Sequence, residues 1–244
     1  MCGRFALKNS PREVEALLGL AEVEDFPPRY NIAPTQPILT VIAGPSRPRG
    51  SNLPDRETLL VRWGLWPSWV KKPKELPLLI NARSETAAEK AAFRAAMRHR
   101  RALIPASGFY EWRRDGSGRS QPFWVQPRSG GLVAFAGLVE TWIEPGGSEI
   151  DTGAIMTTAA SSDLASIHHR MPVVIRPEDF ARWLDCRSYE PRHVADLLTA
   201  VEAGFFEVIP VSDKVNSVAN TGPDIQEPVE LPAPATKAQQ LQLF

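Results

Sequence analysis

The second residue of the chain, Cys2, is the first candidate for chemistry. Removal of Met1, which is usual when the next residue is small, leaves Cys2 with an α-amine and a thiol on adjacent carbon atoms. Such an amine adds to an aldehyde to form an imine, and the thiol then closes a thiazolidine ring. Reference pKa values of about 8 for the amine and about 8.5 for the thiol leave a reactive fraction of each at neutral pH. Cys2 therefore suits aldehyde capture; the alternative is a small residue without a role.

Three further polar residues stand beside or within apolar segments. Asn81 follows the apolar run 78–80, Glu111 is flanked by aromatic residues, and His168 is followed by His169. A carboxyl group among aromatic side chains is a candidate for a raised pKa and for acid–base catalysis. The alternatives are that Glu111 pairs with an arginine and that His168 is a core histidine with one backbone hydrogen bond. The two histidines, far from either cysteine, do not make a metal-site pattern, and we expect no metal and no cofactor.

Local signals predict the elements that position these residues. A capping box with proline, Ser10-Pro11-Arg12-Glu13, predicts a helix over 11–20, and a similar pattern predicts an alanine-rich helix over 86–98. Shorter helices are predicted over 161–167, 177–184 and 191–201. Runs rich in β-branched and aromatic residues predict strands over 38–42, 58–63, 101–104, 109–113, 122–126, 132–141, 154–158 and 205–211. The pattern is that of an α/β (α+β) protein dominated by strands.

Composition narrows the class of protein. The 244 residues, 43% of them hydrophobic, are enough for a sizeable core. No run approaches the roughly 18 to 20 apolar residues of a membrane span, and no secretory signal is present, so we expect a cytoplasmic or nucleoid protein. Cys2 and Cys186 do not make a disulfide framework. Basic and acidic residues balance at 28 each, and the basic clusters at 94–101 and 113–119 are most simply solvated faces.

The segment from residue 223 onward differs from the rest of the chain. It is rich in proline and alanine and has little hydrophobic periodicity. Such a composition predicts a disordered tail. We therefore expect one folded domain over residues 2–222 and a tail over residues 223–244.

Six short motifs, in this order, resemble those of the SOS response-associated peptidase (SRAP) family. They are MCGRF at 1–5, RYNIAP at 29–34, WGLWP at 63–67, INARSET at 80–86, GFYEW at 108–112 and IHHRMP at 167–172. The resemblance covers residues 2–222. It implies a single α/β domain built on a curved, barrel-like, mainly antiparallel sheet with flanking helices.

The family resemblance implies an activity and a role for four residues. It implies that the protein senses abasic sites in single-stranded DNA and forms a covalent thiazolidine crosslink through Cys2, which shields the lesion during replication and the SOS response. Asn81 would orient the amine and the sulfur, and Glu111 would act as acid and base. His168 would assist opening of the sugar ring, imine formation and reversal of the crosslink. Autopeptidase and AP-lyase activities are implied as accompaniments.

The resemblance also implies a set of DNA contacts. Guanidinium groups fit phosphate in a bidentate manner, and a bulky residue pair at an exposed loop tip would act as a wedge that stacks on a base. The arginines are Arg4, Arg83 and Arg170, the residues lining the groove are Asn31 and Thr157, and the wedge residues are Trp69 and Val70. Because the family often has two aromatic residues in the wedge, valine in second place predicts a weaker one.

Two other function classes stay open beside abasic-site crosslinking. Cys2 with Glu111 and His168 has the ingredients of a cysteine peptidase, and a non-covalent single-stranded DNA-binding module is the third class. Residues 240–244, QLQLF, resemble the pentapeptide by which bacterial repair proteins dock on the replicative sliding clamp. An accidental match is the alternative. We expect a monomer whose clamp contacts are Gln240, Leu241, Leu243 and Phe244.

Overall fold

Strands are the main regular elements of the computed structural model, which describes residues 2–45, 55–114 and 120–231. The strands are β1 (Phe5–Leu7), β2 (Arg29–Ile32), β3 (Pro37–Ala43), β4 (Arg56–Trp63), β5 (Asn81–Arg83), β6 (Arg101–Ala106), β7 (Gly108–Arg114), β8 (Ser120–Pro127), β9 (Val133–Ile143), β10 (Glu149–Ala159), β11 (Arg170–Pro172), β12 (Val174–Ile175) and β13 (Phe206–Pro210). The α-helices are α1 (Pro11–Leu18), α2 (Arg94–His99) and α3 (Phe180–Leu184). Short 3-10 turns occupy Pro73–Glu75, Pro177–Asp179, Pro191–Leu197, Asp213–Asn216 and Pro223–Gln226. Within these ranges no helix has the length and apolar character needed to cross a membrane.

Five strands close into a barrel. Strand β10 pairs in parallel with β4, and antiparallel pairing then joins β4 to β3, β3 to β6, β6 to β9 and β9 back to β10. Closure leaves these strands without a free edge. Strands β5 and β11 pair with β10, and β12 pairs with β9. The predicted α/β class with a curved, barrel-like, mainly antiparallel sheet is confirmed.

A second sheet brings the N-terminal strand against the barrel. Its order is β13-β8-β7-β1-β2, and β1 pairs with β7 so that Phe5 lies opposite Phe109. The Phe5 ring packs edge-on against Trp63 of β4 at 5.2 Å and Phe135 of β9 at 6.4 Å. Edge-to-face aromatic pairs of this kind contribute about 0.5–1.5 kcal/mol each beyond their buried area. This packing fixes the chain immediately after Cys2.

Helix α1 follows its sequence signal closely. The Ser10 hydroxyl accepts a hydrogen bond from the Glu13 N–H, and the Glu13 carboxylate accepts one from the Ser10 N–H at 2.8 Å, which completes the predicted capping box. Val14 and Leu18 are the buried residues of this helix. The helix ends at Leu18, two residues before the predicted end, because Gly19 adopts a left-handed conformation with φ of +62°.

The second capping signal was misleading. Residues 84–93 form successive turns, and helix α2 begins only at Arg94. The Ser84 N–H donates to the Thr157 carbonyl on β10, and the Ala87 N–H to the Arg83 carbonyl. The first bond extends the β5–β10 pairing by one residue and the second closes a local turn, so tertiary pairing competes with the local helix propensity where this segment begins. The helix predicted over 161–167 is likewise a set of turns.

The folded domain continues past its predicted end at residue 222. Ile225 is buried in a cluster with Tyr110 and Trp124. The Gln226 amide donates to the Tyr110 hydroxyl at 3.0 Å and accepts from the Lys8 ammonium at 3.1 Å. Residues 225 and 226 therefore pack on the domain beyond its expected boundary at residue 222, and the disorder expected for the tail stays a prediction. Residues 232–244, with the four predicted clamp contacts, lie outside the described residues.

Candidate active site

Cys2 is completely buried and belongs to the main hydrophobic core. Its thiol sulfur is 3.8 Å from the Arg4 carbonyl oxygen, to which it donates, and its own carbonyl accepts from the Asn81 Nδ2 at 2.8 Å. Asn81 opens β5, where pairing with β10 places it opposite Ile155. Its Oδ1 is buried and has no hydrogen-bond partner among the described residues. Asn81 thus holds the Cys2 backbone with its amide nitrogen and keeps an acceptor for a further donor.

The Cys2 thiol is held in its neutral form. Burial raises its pKa far above the usual value, and the negative charge of Glu111 raises it further. A thiolate is therefore scarce at neutral pH. The arrangement differs from that of a cysteine whose pKa is lowered for direct attack as an anion.

Glu111 lies on β7 and is almost completely buried, opposite Phe123 of β8. Burial raises the pKa of its carboxyl group. One carboxylate oxygen is 4.0 Å from the Nδ1 of His168. A carboxyl group with a raised pKa, beside a histidine and within electrostatic range of Cys2, is suited to taking up and returning a proton.

His168 follows the turns over 162–167 and is positioned by the backbone of Arg170. Its Nδ1 is 3.0 Å from the Arg170 amide nitrogen and 3.1 Å from the Arg170 carbonyl oxygen. An unprotonated Nδ1 can accept a hydrogen bond from the Arg170 amide, and a protonated Nδ1 can donate one to the Arg170 carbonyl. The Arg170 backbone can therefore bond to both protonation states of Nδ1. Burial is the main reason why the pKa of His168 is lowered. The ring stacks on His169 with centroids 4.4 Å apart.

The four predicted catalytic residues come together from four separate segments. Asn81 bonds to Cys2, Glu111 faces His168, and the charge of Glu111 acts on the Cys2 thiol. They supply a nucleophile, a buried carboxyl group, an imidazole and a carboxamide. No group of three or more histidine, cysteine, aspartate or glutamate side chains suited to a metal ion occurs within the described ranges.

Arg4 and Asn31, predicted as DNA contacts, bind other parts of the protein. The Arg4 Nη1 donates to the Asn31 Oδ1 and to the Val215 carbonyl, each at 2.7 Å. The Asn31 Nδ2 donates to the carbonyls of Ser217 and Asn220 at 3.0 and 2.8 Å. Asn31 is buried. In the structure these two side chains fasten the turn around residue 215 to the strands that follow Cys2.

Arg170 and Thr157, also predicted as DNA contacts, are buried and interact with each other, and Arg170 also pairs with the half-exposed Glu85. The Arg170 guanidinium holds the Glu85 carboxylate in a bidentate manner at 2.5 and 2.9 Å and donates to the Thr157 carbonyl at 2.5 Å. Thr157 is completely buried. Sequence analysis did not identify Glu85 as a residue of the site, although it lies in the same motif as Asn81. Of the predicted phosphate-binding arginines, Arg83 alone has an exposed side chain.

The predicted wedge is a single exposed aromatic residue. Trp69 is 62% exposed, whereas Val70 is 8% exposed. The Val70 carbonyl accepts from the Trp142 Nε1 at 2.7 Å, which turns this residue towards the protein. Any base that stacks at this tip therefore meets Trp69 and not Val70.

Comparison with known proteins gives consistent matches over almost the whole chain. The family model described as SOS response associated peptidase (SRAP) matches residues 1–218. Abasic site processing protein YoqW of Bacillus subtilis is 36% identical over 230 residues, covering 93% of this chain and 99% of the relative. YedK of Escherichia coli, with the same description, is 33% identical over 241 residues, covering 94% and 100%. HMCES of Gallus gallus, also an abasic site processing protein, is 30% identical over 233 residues, covering 86% and 68%.

A solved structure supports the fold. The crystal structure of a protein from Bacteroides thetaiotaomicron superposes with a TM-score of 0.80 at 22% identity, covering 94% of this chain and all of that one. At this identity the similarity establishes the architecture alone. The closed barrel and the sheet that carries Cys2 against it are therefore shared with a protein of distant sequence.

Proposed function

This chain belongs to the SOS response associated peptidase (SRAP) family, and we propose that it captures abasic sites in single-stranded DNA by a covalent bond to Cys2. The observation that carries the proposal is the convergence of Cys2 with Asn81, Glu111 and His168. The names of the relatives, abasic site processing proteins, support DNA lesions as the target. The acceptor is the aldehyde of the ring-opened deoxyribose.

The amine acts first in the proposed reaction. With Met1 removed, the Cys2 amine attacks the aldehyde carbon, and loss of water gives an imine. Glu111, whose pKa is raised by burial, takes the proton of the ammonium group and returns one to the departing hydroxyl. His168, with its lowered pKa, serves the earlier opening of the sugar ring by accepting the proton of the anomeric hydroxyl, while the carbon–oxygen bond of the ring breaks and the ring oxygen takes a proton from water.

The thiol closes the ring in the second step. Its sulfur adds to the imine carbon, a carbon–sulfur bond forms, and the thiol proton passes to the nitrogen, which gives a thiazolidine. Because the pKa of Cys2 is raised, the thiol stays protonated until the imine is present. Ring closure removes the imine from which an AP-lyase reaction would cleave the strand. The hydrogen bond from Asn81 to the Cys2 carbonyl fixes the Cys2 backbone, so that the amine and the sulfur of Cys2 face the same carbon atom of the sugar.

A general cysteine peptidase is the less favoured activity. Such enzymes depend on a thiolate beside a protonated imidazole. Here the pKa of Cys2 is raised and the pKa of His168 is lowered, so both groups are neutral at pH 7. We propose that peptide-bond cleavage by this protein is limited to the removal of Met1 from its own chain during maturation.

The first prediction tests covalent capture directly. A single-stranded oligonucleotide with one abasic site is incubated with the protein, and denaturing electrophoresis measures the adduct. The wild-type protein is expected to form it, Cys2→Ala to form none, and Cys186→Ser to match the wild type. Absence of an adduct with the wild-type protein contradicts the proposal. Cleavage of a peptide substrate that depends on Cys2 would favour a peptidase, and DNA affinity without any adduct would favour a non-covalent binding module.

We further propose that residues 240–244 bind a bacterial sliding clamp. Leu243 and Phe244 are apolar anchors at the end of a proline- and alanine-rich segment, and a tether of this composition raises the local concentration of the domain at stalled replication. A peptide of residues 234–244 is expected to bind the clamp with a Kd on the order of 1 μM, about 8 kcal/mol. Calorimetry should find no binding by the Leu243→Ala, Phe244→Ala peptide and unchanged binding by Lys237→Ala. Equal affinity of the double variant would refute the proposal.

A further inference from the structure

Two short strands flank β10 and belong to the segments of Asn81 and His168. Strand β5 begins at Asn81, and β11 begins at Arg170, two residues after His168. Thr157 of β10 pairs with β5 on one edge and with β11 on the other. The position of Asn81 relative to His168 therefore depends on contacts that cross β10.

An ion pair crosses β10 at Thr157. The Arg170 guanidinium donates to both carboxylate oxygens of Glu85, at 2.5 and 2.9 Å, and to the Thr157 carbonyl. The same carbonyl accepts from the Ser84 N–H at 2.8 Å. Glu85, which follows the end of β5 by two residues, is thereby joined to the first residue of β11.

The geometry and burial of this pair distinguish it from an ordinary surface salt bridge. Its two parallel hydrogen bonds are the strong form of an arginine–carboxylate contact. Arg170 is 8% exposed, whereas the Glu85 side chain is half exposed. Hydrogen bonds from Arg170 lower the pKa of Glu85, so its carboxyl group is ionised at neutral pH. Because a buried guanidinium that loses its carboxylate is strongly destabilised, removal of the Glu85 charge should displace Arg170.

The backbone of Arg170 in turn holds the imidazole of His168. Its amide nitrogen and carbonyl oxygen lie 3.0 and 3.1 Å from the His168 Nδ1, and a Glu111 carboxylate oxygen lies 4.0 Å from the same atom. A shift of Arg170 therefore moves the ring relative to Glu111. We infer that Glu85 is a positioning residue that acts through Arg170 to hold His168 beside Glu111. The inference rests on the proposed function for the rate that it affects, but the hold on His168 requires no DNA.

Single-turnover rates of adduct formation test the effect on the reaction. Glu85→Gln is expected to lower the rate at saturating abasic oligonucleotide by about 10-fold, because displacement of a catalytic group by about 1 Å costs up to about 100-fold. The half-saturating oligonucleotide concentration should stay within about 2-fold of the wild type, since the lost interaction is one that serves the reaction and not binding. Glu85→Asp keeps the carboxylate and should recover most of the rate.

The matched control is Glu89→Gln. Glu89 is exposed in the same series of turns, and its replacement removes the same charge. This variant should react at the wild-type rate. A wild-type rate in Glu85→Gln would overturn the inference. A change confined to the half-saturating concentration would also overturn it, because Glu85 would then act on DNA binding.

A double-mutant cycle tests whether the effect passes through the imidazole. In a His168→Ala protein, Glu85→Gln should slow adduct formation no further, because the group that Glu85 positions is already absent. An equal fold-loss with and without His168 would overturn the inference.

Nitrogen-15 NMR of the imidazole groups gives a readout without DNA. The chain has four histidines, and the signals that disappear in His168→Ala belong to His168. Glu85→Gln should shift these signals, and Glu89→Gln should leave them in place. Unchanged His168 signals in Glu85→Gln would overturn the inference. Shifted signals, together with a wild-type protein that forms no adduct, would instead refute the proposed function and leave the positioning of His168 by Glu85 intact.

Discussion

A protein that carries any residue before Cys2 is expected to keep its fold and to form no thiazolidine with abasic DNA. Ring closure needs a primary amine and a thiol on adjacent carbons. When Met1 is retained, the Cys2 nitrogen is part of an amide, and its lone pair is delocalised into the carbonyl group and cannot attack an aldehyde. Its thiol is present but neutral, because burial raises its pKa. The adduct should therefore fall below detection although every side chain of the site is unchanged.

The cleanest form of this experiment uses one preparation in two states. An N-terminal extension that ends in a protease site is placed before Cys2, and the protein is assayed before and after cleavage. Denaturing electrophoresis should show an adduct only after cleavage. Thermal unfolding of both states checks that the extension leaves the fold intact. An adduct of equal yield before cleavage would show that the thiol acts without the amine.

Replacement of the buried carboxylate, Glu111→Gln, is expected to stabilise the protein and to slow crosslinking by about 100-fold or more. The folded-state pKa of Glu111 is raised above its unfolded value by burial. The stability contribution of such a group is complete below the unfolded pKa and is lost as pH rises through the folded pKa. At pH 7 glutamine avoids this cost, and each 1 kcal/mol gained raises the Tm by about 2–4 °C. Below about pH 4 the difference in Tm should shrink, because the wild-type carboxyl group is then neutral.

Glu140→Gln is the control variant that distinguishes an effect on stability from an effect on the rate of crosslinking. Burial also raises the pKa of Glu140, which lies on β9 beside Arg100. This variant should crosslink at the wild-type rate. The measurements are calorimetric Tm values at two pH values and single-turnover rates of adduct formation. If Glu111→Gln crosslinks as fast as the wild type, Glu111 has no part in proton transfer.

The barrel was predictable because its strands carry their own signals. Strands β3, β4, β6, β9 and β10 are runs of β-branched and apolar residues, and such residues fit the pleated, half-buried surface of a sheet. Helix α1 was predictable from its capping box. The segment 86–93 was not, since its own hydrogen bonds close local turns, such as that from the Lys90 N–H to the Thr86 carbonyl, and the chain enters it from Ser84, which bonds to Thr157 of β10, distant in the sequence.

The sequence predicted which residues form the candidate site, but it did not predict all of the contacts that these residues make. The motifs around Cys2, Asn81, Glu111 and His168 marked residues that do converge. The bonds of Arg4 to backbone carbonyls near residue 215 span more than 200 residues and leave no trace in the local sequence. Side chains expected to face DNA therefore also hold the protein together.

Intact mass spectrometry tests the central claim most directly. Before incubation the protein should have the mass of residues 2–244, without Met1. After incubation with an abasic oligonucleotide, its mass should increase by that of the oligonucleotide less one water, and borohydride should leave it unchanged because a thiazolidine has no imine to reduce. A gain of two hydrogen atoms on reduction would show that the reaction stops at the imine. A mass that does not increase would contradict covalent capture altogether.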